Sequence, residues 1–217
     1  MSTFPGSPRL IKGGIALLDN TTGQVLALIP LQYNPDTLTR TMQIKSVSGE
    51  SGDHIEALRL KGPPIENVKL DAEIDATDLL EKADPQTTQV GIHPQLAILE
   101  TIVYPTSTHL ASNYQLESSG QLEIAPADGP LTVFIFGPQR IVPVRITELS
   151  ITEEAFDVAL NPIRAKVSLG LRVLTIDDLT FDSKGGSMFM AYLQTKEQLA
   201  LKNTPGTYSS LGITGIP

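Results

Sequence analysis

Between Val68 and Asp75 apolar and charged residues alternate without a break, which predicts a strand that turns Val68, Leu70, Ala72 and Ile74 inward and Lys69, Asp71, Glu73 and Asp75 outward. The same period of two runs through Leu131–Phe136, Arg140–Thr147 and Ala165–Leu174, which read as an antiparallel unit with a turn at Gly137-Pro138 and a later one at Asn161-Pro162. Pro143, inside the second of these strands, points to an edge or a bulge, since proline brings no ladder donor. Earlier in the chain, Ile15–Leu18 and Val25–Ile29 flank Asp19–Gly23 and predict a hairpin, with Gly23 free to take a positive φ.

Two stretches change to the helical period. From Val90 through Leu96, Leu99 and Val103 the spacing predicts a helix with Pro94 in its first turn, ending before Pro105. From Ser187 to Lys202, Met188, Phe189, Tyr192, Leu193 and Leu199 make an amphipathic stripe. Ser46–Asp53 reads as an exposed polar loop, and Thr106–Gly129 as a polar excursion from the domain.

Composition agrees with this outline. Sixteen prolines, seventeen glycines and no tryptophan favour short strands and turns, and 41% apolar residues suffice for a core. The expected organisation is an N-terminal arm over 1–11, one domain over 12–202 and an extended tail over 203–217. A net charge of −8 with no Lys/Arg cluster argues against nucleic acid as a partner. The N-terminus lacks the pattern of a signal peptide and no apolar run approaches a membrane span, so synthesis in the cytoplasm is expected.

Candidate chemistry is sparse. The absence of cysteine excludes disulfides, thiolate nucleophiles and cysteine-ligated metal sites. His54, His93 and His109 have no spacing that puts two imidazoles on one helical face. Asp71, Glu73 and Asp75 imitate the first ligands of a calcium loop, but Ala76 replaces its glycine and Lys82 stands where a bidentate glutamate is needed. Gly185-Gly186 reads as a loop-to-helix junction rather than an anion site, and Asn20-Thr21-Thr22 forms a glycosylation sequon without other signs of secretion. No catalytic, metal or cofactor-binding residue is assigned.

The most specific segment is Ile29-Pro-Leu-Gln-Tyr-Asn-Pro-Asp-Thr-Leu-Thr-Arg40, an apolar strand led through a stiff Asn34-Pro35 corner into a second strand. In that second strand Leu38, Met42 and Ile44 are expected on one side, with Arg40 solvated. The pattern resembles the opening of the tube-adaptor proteins of contractile injection systems. Phe134–Asp157 with its Gly137-Pro138 corner, Leu160–Leu169 with Asn161-Pro162-Ile-Arg164-Ala, and the closing helix Met190–Ala200 are similar to the same family in the same order. Phe136 stands where many relatives have tryptophan, and their LysM module has no counterpart in these residues.

The resemblance implies a mainly β fold with flanking helices (α+β), an antiparallel β-barrel-like sandwich of the injection-tube type with a C-terminal helix. It also implies a structural role: a ring of six copies between spike hub and inner tube, with inner-tube, spike and baseplate proteins as partners and no cofactor. Tyr33, Asn34, Pro35, Arg40, Gly137, Pro138, Asn161, Pro162 and Arg164 are then structural motif residues. Two alternatives stay open: a β-rich ligand-binding or cargo module using the acidic strand face and polar loops, and a hydrolase assembled from a distant His and carboxylate.

Overall fold

A computed structural model describes residues 11–45, 59–120 and 129–216. The polar loop 46–53, His54 and the arm 1–10 therefore lie outside the described residues.

Seven strands form one antiparallel sheet: β1 (Gly14–Leu18), β2 (Val25–Pro30), β3 (Leu38–Gln43), β4 (Ile65–Asp75), β5 (Leu131–Ile135), β6 (Ile141–Phe156) and β7 (Pro162–Val173), in the order β2-β1-β5-β6-β7-β4-β3. Helices α1 (Thr77–Glu81), α2 (Pro85–Val90), α3 (His93–Val103) and α4 (Ser107–Ser118) lie between β4 and β5, and α5 (Lys184–Leu201) follows β7. The α+β class is as expected, but the barrel is not closed. Among the described residues β2 and β3 end the sheet as free edges.

The main core gathers alternate residues of the strands, among them Ile15, Val68, Leu70, Phe134, Val142 and Val167, under Leu96 and Leu99 of α3 and Phe189 and Tyr192 of α5. Ala16, Leu18, Leu131 and Val133, of the opposite parity on β1 and β5, form a second cluster with Leu179 and Met188. Strand β4 has the expected inward lane, with Val68, Leu70 and Ala72 buried.

Pro143 sits on an interior strand rather than an edge. Its carbonyl accepts from Leu174 N at 2.9 Å, just past the end of β7, so its donorless nitrogen faces β7 where that ladder stops. The β-bulge of this strand falls instead between Ile146 and Glu148, opposite Gly170, where a Cβ would press on Glu148. Strand β6 also continues to Phe156, nine residues past the predicted end at Thr147.

Helix α3 ends where its apolar spacing predicts, with Pro94 in the first turn and Tyr104 as the capping residue, but it begins at His93, because Val90 closes α2 and Gly91 at φ +57° breaks the run. Helix α4 occupies part of the polar excursion. Thr106 caps it by accepting from His109 N, and none of its residues is buried. Gly185 and Gly186 open α5 in close contact with Leu179 and the Thr180 carbonyl, so they serve backbone packing, with Ser183 capping Gly186 N at 3.0 Å.

Candidate assembly surface

Two of the motif residues, Asn34 and Asn161, fasten the fold through side-chain amides that imitate a peptide group. At the first corner Asn34 Oδ1 accepts from Gly13 N at 2.9 Å while Asn34 Nδ2 donates to Ile11 O at 2.8 Å. The corner is thus held by a side chain reaching the entry to β1. Pro35 is half-buried beside it and Tyr33 is 49% exposed. Two residues earlier, Gln32 Nε2 donates to Asp75 O at 2.6 Å and Gln32 Oε1 accepts from Asp75 N at 2.9 Å. One amide therefore bridges the gap between the end of β2 and the end of β4 that a closed barrel would fill with a ladder.

The second motif ties the helices to the β6–β7 hairpin. Asn161 Nδ2 donates to Gln89 O at 3.1 Å and to Asp157 Oδ2 at 2.8 Å, Pro162 O accepts from Ile92 N at 3.0 Å, and Ile163 O accepts from Ala76 N at 2.9 Å. Gly91, at φ +57°, lets the chain pass against the Pro162 carbonyl, which a Cβ would strike. At the third corner Gly137 takes φ +78° and Phe136 N donates to Arg140 O at 2.8 Å, closing the hairpin with Pro138 at its tip. Phe136, in the place of the relatives' tryptophan, stacks on Phe134 at 5.9 Å between ring centres.

Arg40 is not solvated as expected. It shares the parity of Leu38 and therefore its inward side, and its guanidinium meets Glu66 Oε1 at 2.7 Å and Tyr192 Oη at 3.2 Å. Lys196 Nζ holds the other oxygen of Glu66 at 2.8 Å, and Tyr192 Oη donates to Oε1 at 3.0 Å. Glu66 is 3% exposed. Burial pushes its carboxyl up, but the hydrogen bonds and charges of Lys196 and Arg40 outweigh that and leave it below the ordinary range. The cluster joins β3, β4 and α5. Glu66 lies in phase with Val68 and Leu70, so a charged residue on an apolar lane was its signal in the sequence.

The acidic face of β4 is paired rather than free. Arg164 meets Asp75 at 2.8 Å, Lys69 meets Glu148 at 3.1 Å, Lys166 meets Glu154 at 3.0 Å, and Asp71 accepts from Ser168. Hydrogen bonding to Asp75, the largest influence, raises the Arg164 guanidinium. Among the described residues no group of three or more His, Asp or Glu could hold a metal ion. His93 stands exposed at the start of α3, and His109 touches Asn113 at 3.1 Å.

Several apolar groups stand exposed among the described residues. Val25, Leu26 and Leu28 of edge strand β2 are 63, 61 and 62% exposed, and Val158 and Leu160 crown the β6–β7 tip, where Leu160 takes φ +65°. Leu110 and Tyr114 lie exposed one turn apart on α4. Below β2 a cavity of about 340 Å³ opens between Ile29, Leu31 and Ile74 of the sheet side and Ile98 and Leu99 of α3. Single exposed apolar residues are ordinary, but a free strand edge carrying three of them is a template for another chain.

No family model matches the chain, and no curated protein matches it. A search of solved structures finds the tail of an empty GTA particle, computed with helical refinement and C6 symmetry. That chain is 14% identical, with a TM-score of 0.31, over 75% of this chain and 90% of that one. At this TM-score the likeness carries no weight here. No described helix is long and apolar enough to cross a membrane.

Proposed function

We propose that the chain is a structural subunit of a contractile-injection-type particle, a tube adaptor that forms a ring of six copies between spike hub and inner tube and templates the first tube layer. The observation that carries this reading is the free, apolar edge of β2. Soluble monomers blunt such edges with charge or cover, whereas a subunit keeps them for its neighbour. The three corners within the segments that resemble the family support it, because each fastens strands or helices.

In this reading the protein is not an enzyme. Its work is to hold a rigid sheet whose edges, hairpin tip and helix α4 meet copies of itself, inner-tube, spike and baseplate proteins, within a particle assembled in the cytoplasm. Negative-stain electron microscopy of the purified chain, alone and mixed with an inner-tube protein of such a particle, tests this. Discrete rings capping short tubes are expected, and a monomer that neither forms rings nor caps tubes would overturn the reading. The triple substitution of His54, His93 and His109 by alanine is expected to leave ring yield unchanged.

A further inference from the structure

The β2 edge offers backbone groups over a short, bracketed stretch. Leu31 N donates to Gly13 O at 2.8 Å, so alternation turns the groups of Ile29 towards β1 and those of Leu28 and Pro30 towards the free side. Pro30 has no N–H, and the register of β1 and β2 shifts at Leu26. Leu28 N–H is the regular donor left between them, with the carbonyls of Leu28 and Pro30 beside it. The same residues form one wall of the apolar cavity, next to Ile98 and Leu99.

A segment suited to that edge follows α5. After α5, residues 203–216 carry no charged side chain, and Gly206–Ile216 contains no proline. Leu211, Ile213 and Ile216 are 73, 45 and 74% exposed. Past Asn203, whose N–H still donates to Ala200 O, the backbone bonds among the described residues of this segment run within it, as in Ser210 N to Thr207 O and Ile213 N to Tyr208 O. Its one element is a single 3-10 turn, Tyr208–Leu211, a form with little stability of its own. In an extended conformation Leu211 and Ile213 would fall on one face, two residues apart.

Charge selects the occupant. No charged residue occurs from Asn20 to Pro35, and none from Asn203 to Pro217, in a chain of net charge −8 whose copies repel one another elsewhere. The tail leaves α5 beyond Lys196, which is pinned to Glu66 of β4 beside β3, whereas β2 is the opposite end of the strand order. The tail and the β2 edge are different surfaces of the chain, so a contact between the tail of one copy and the edge of the next is head-to-tail, the kind that closes a ring.

We infer that the tail 203–217 of one copy adds to the β2 edge of the next, pairing with Leu28 and seating Leu211 and Ile213 in the cavity against α3. This rests on the ring-forming role proposed above and names the partner of β2. The pairing is short, so the buried side chains supply most of the affinity and the backbone sets direction.

The test uses the full chain carrying L211D and I213D, which disables its own tail, as receptor for a fluorescein-labelled peptide of residues 203–217. Saturable binding in the micromolar range is expected by fluorescence anisotropy, weakened at least tenfold in a receptor that also carries Leu28→Pro. Should that variant lose its native circular dichroism, Leu28→Lys serves in its place. A peptide with the two aspartates is expected not to bind. Absence of peptide binding, or binding indifferent to both Leu28 variants, would overturn the inference. So would ring assembly that fails in Val158→Asp/Leu160→Asp yet persists in the tail variant, which would make the hairpin tip the occupant. Failure here with rings still seen by microscopy removes the tail and leaves the ring, whereas peptide binding without rings removes the ring and leaves the tail.

Discussion

The sheet treats its two flanks in opposite ways. Towards β3 and β4 polar groups are matched almost one to one: Glu66 is held by Arg40, Lys196 and Tyr192, Asp75 by Arg164, and Lys69 by Glu148. Towards β2 the exposed surface is uncharged, aliphatic and unpaired. The first flank is finished within one chain. In the proposed ring the second is covered by a neighbour, so stability and assembly should respond to different substitutions.

The largest effect on stability is expected from Glu66→Ala. Removing one partner of a buried ion pair costs about 3–5 kcal/mol, and the lower end applies because Arg40 and Lys196 are 27% and 35% exposed in their side chains and can turn to water. Urea denaturation measures it, and a midpoint equal to wild type would show that the cluster does not anchor α5. Next comes Asn161→Ala, which takes the side-chain donor from Gln89 O and from Asp157 Oδ2. A loss of about 1–2 kcal/mol is expected, with Asn34→Ala similar at the other corner.

A pH series separates the flanks further. The Glu66 carboxyl titrates lower in the folded chain than its ordinary value of 4.5. Its contribution is therefore fully present above that value and fades as pH falls through the lower folded value. The midpoint in urea should drop below pH 4.5 in wild type and drop less in Glu66→Gln, a difference that vanishes if the cluster is not charged. The smallest effect on folding is expected at β2. Leu26→Lys with Leu28→Lys should change stability by about 0.5 kcal/mol or less while abolishing ring formation in sedimentation velocity. Equal loss of fold and assembly would erase the contrast between the flanks.

The sequence carried this division unevenly. Strand β4, the β1–β2 hairpin, α3 and α5 were legible because their apolar periods extend over several residues and their ends carry proline, glycine or a cap. Helices α1 and α2 are too short to establish a period, and α4 buries nothing, so its residues are polar on every side but for a few. The solvated reading of Arg40 failed against its own parity with Leu38, since an arginine can lie on an inward lane when a carboxylate meets it there. Gln32 gave no signal at all. Its role comes from Asp75, 43 positions later, and only the curl of the sheet brings the two together. The closed barrel failed for the same reason, because closure depends on long-range register that local pattern does not encode.

Pro30 has one more consequence. An edge that offered a donor at every second residue could accept a strand of any length, and that strand's own far edge could accept another, which is the growth rule of a fibril. With a register break at Leu26, a residue lacking N–H at Pro30 and the Gln32 carbonyl taken by Lys12 Nζ, the exposed ladder is only a few residues long. A segment can dock there, but it cannot extend the sheet indefinitely. The same short stretch that invites a neighbour thus sets a limit to how many strands can follow it, and that limit separates a closed, countable assembly from open-ended aggregation.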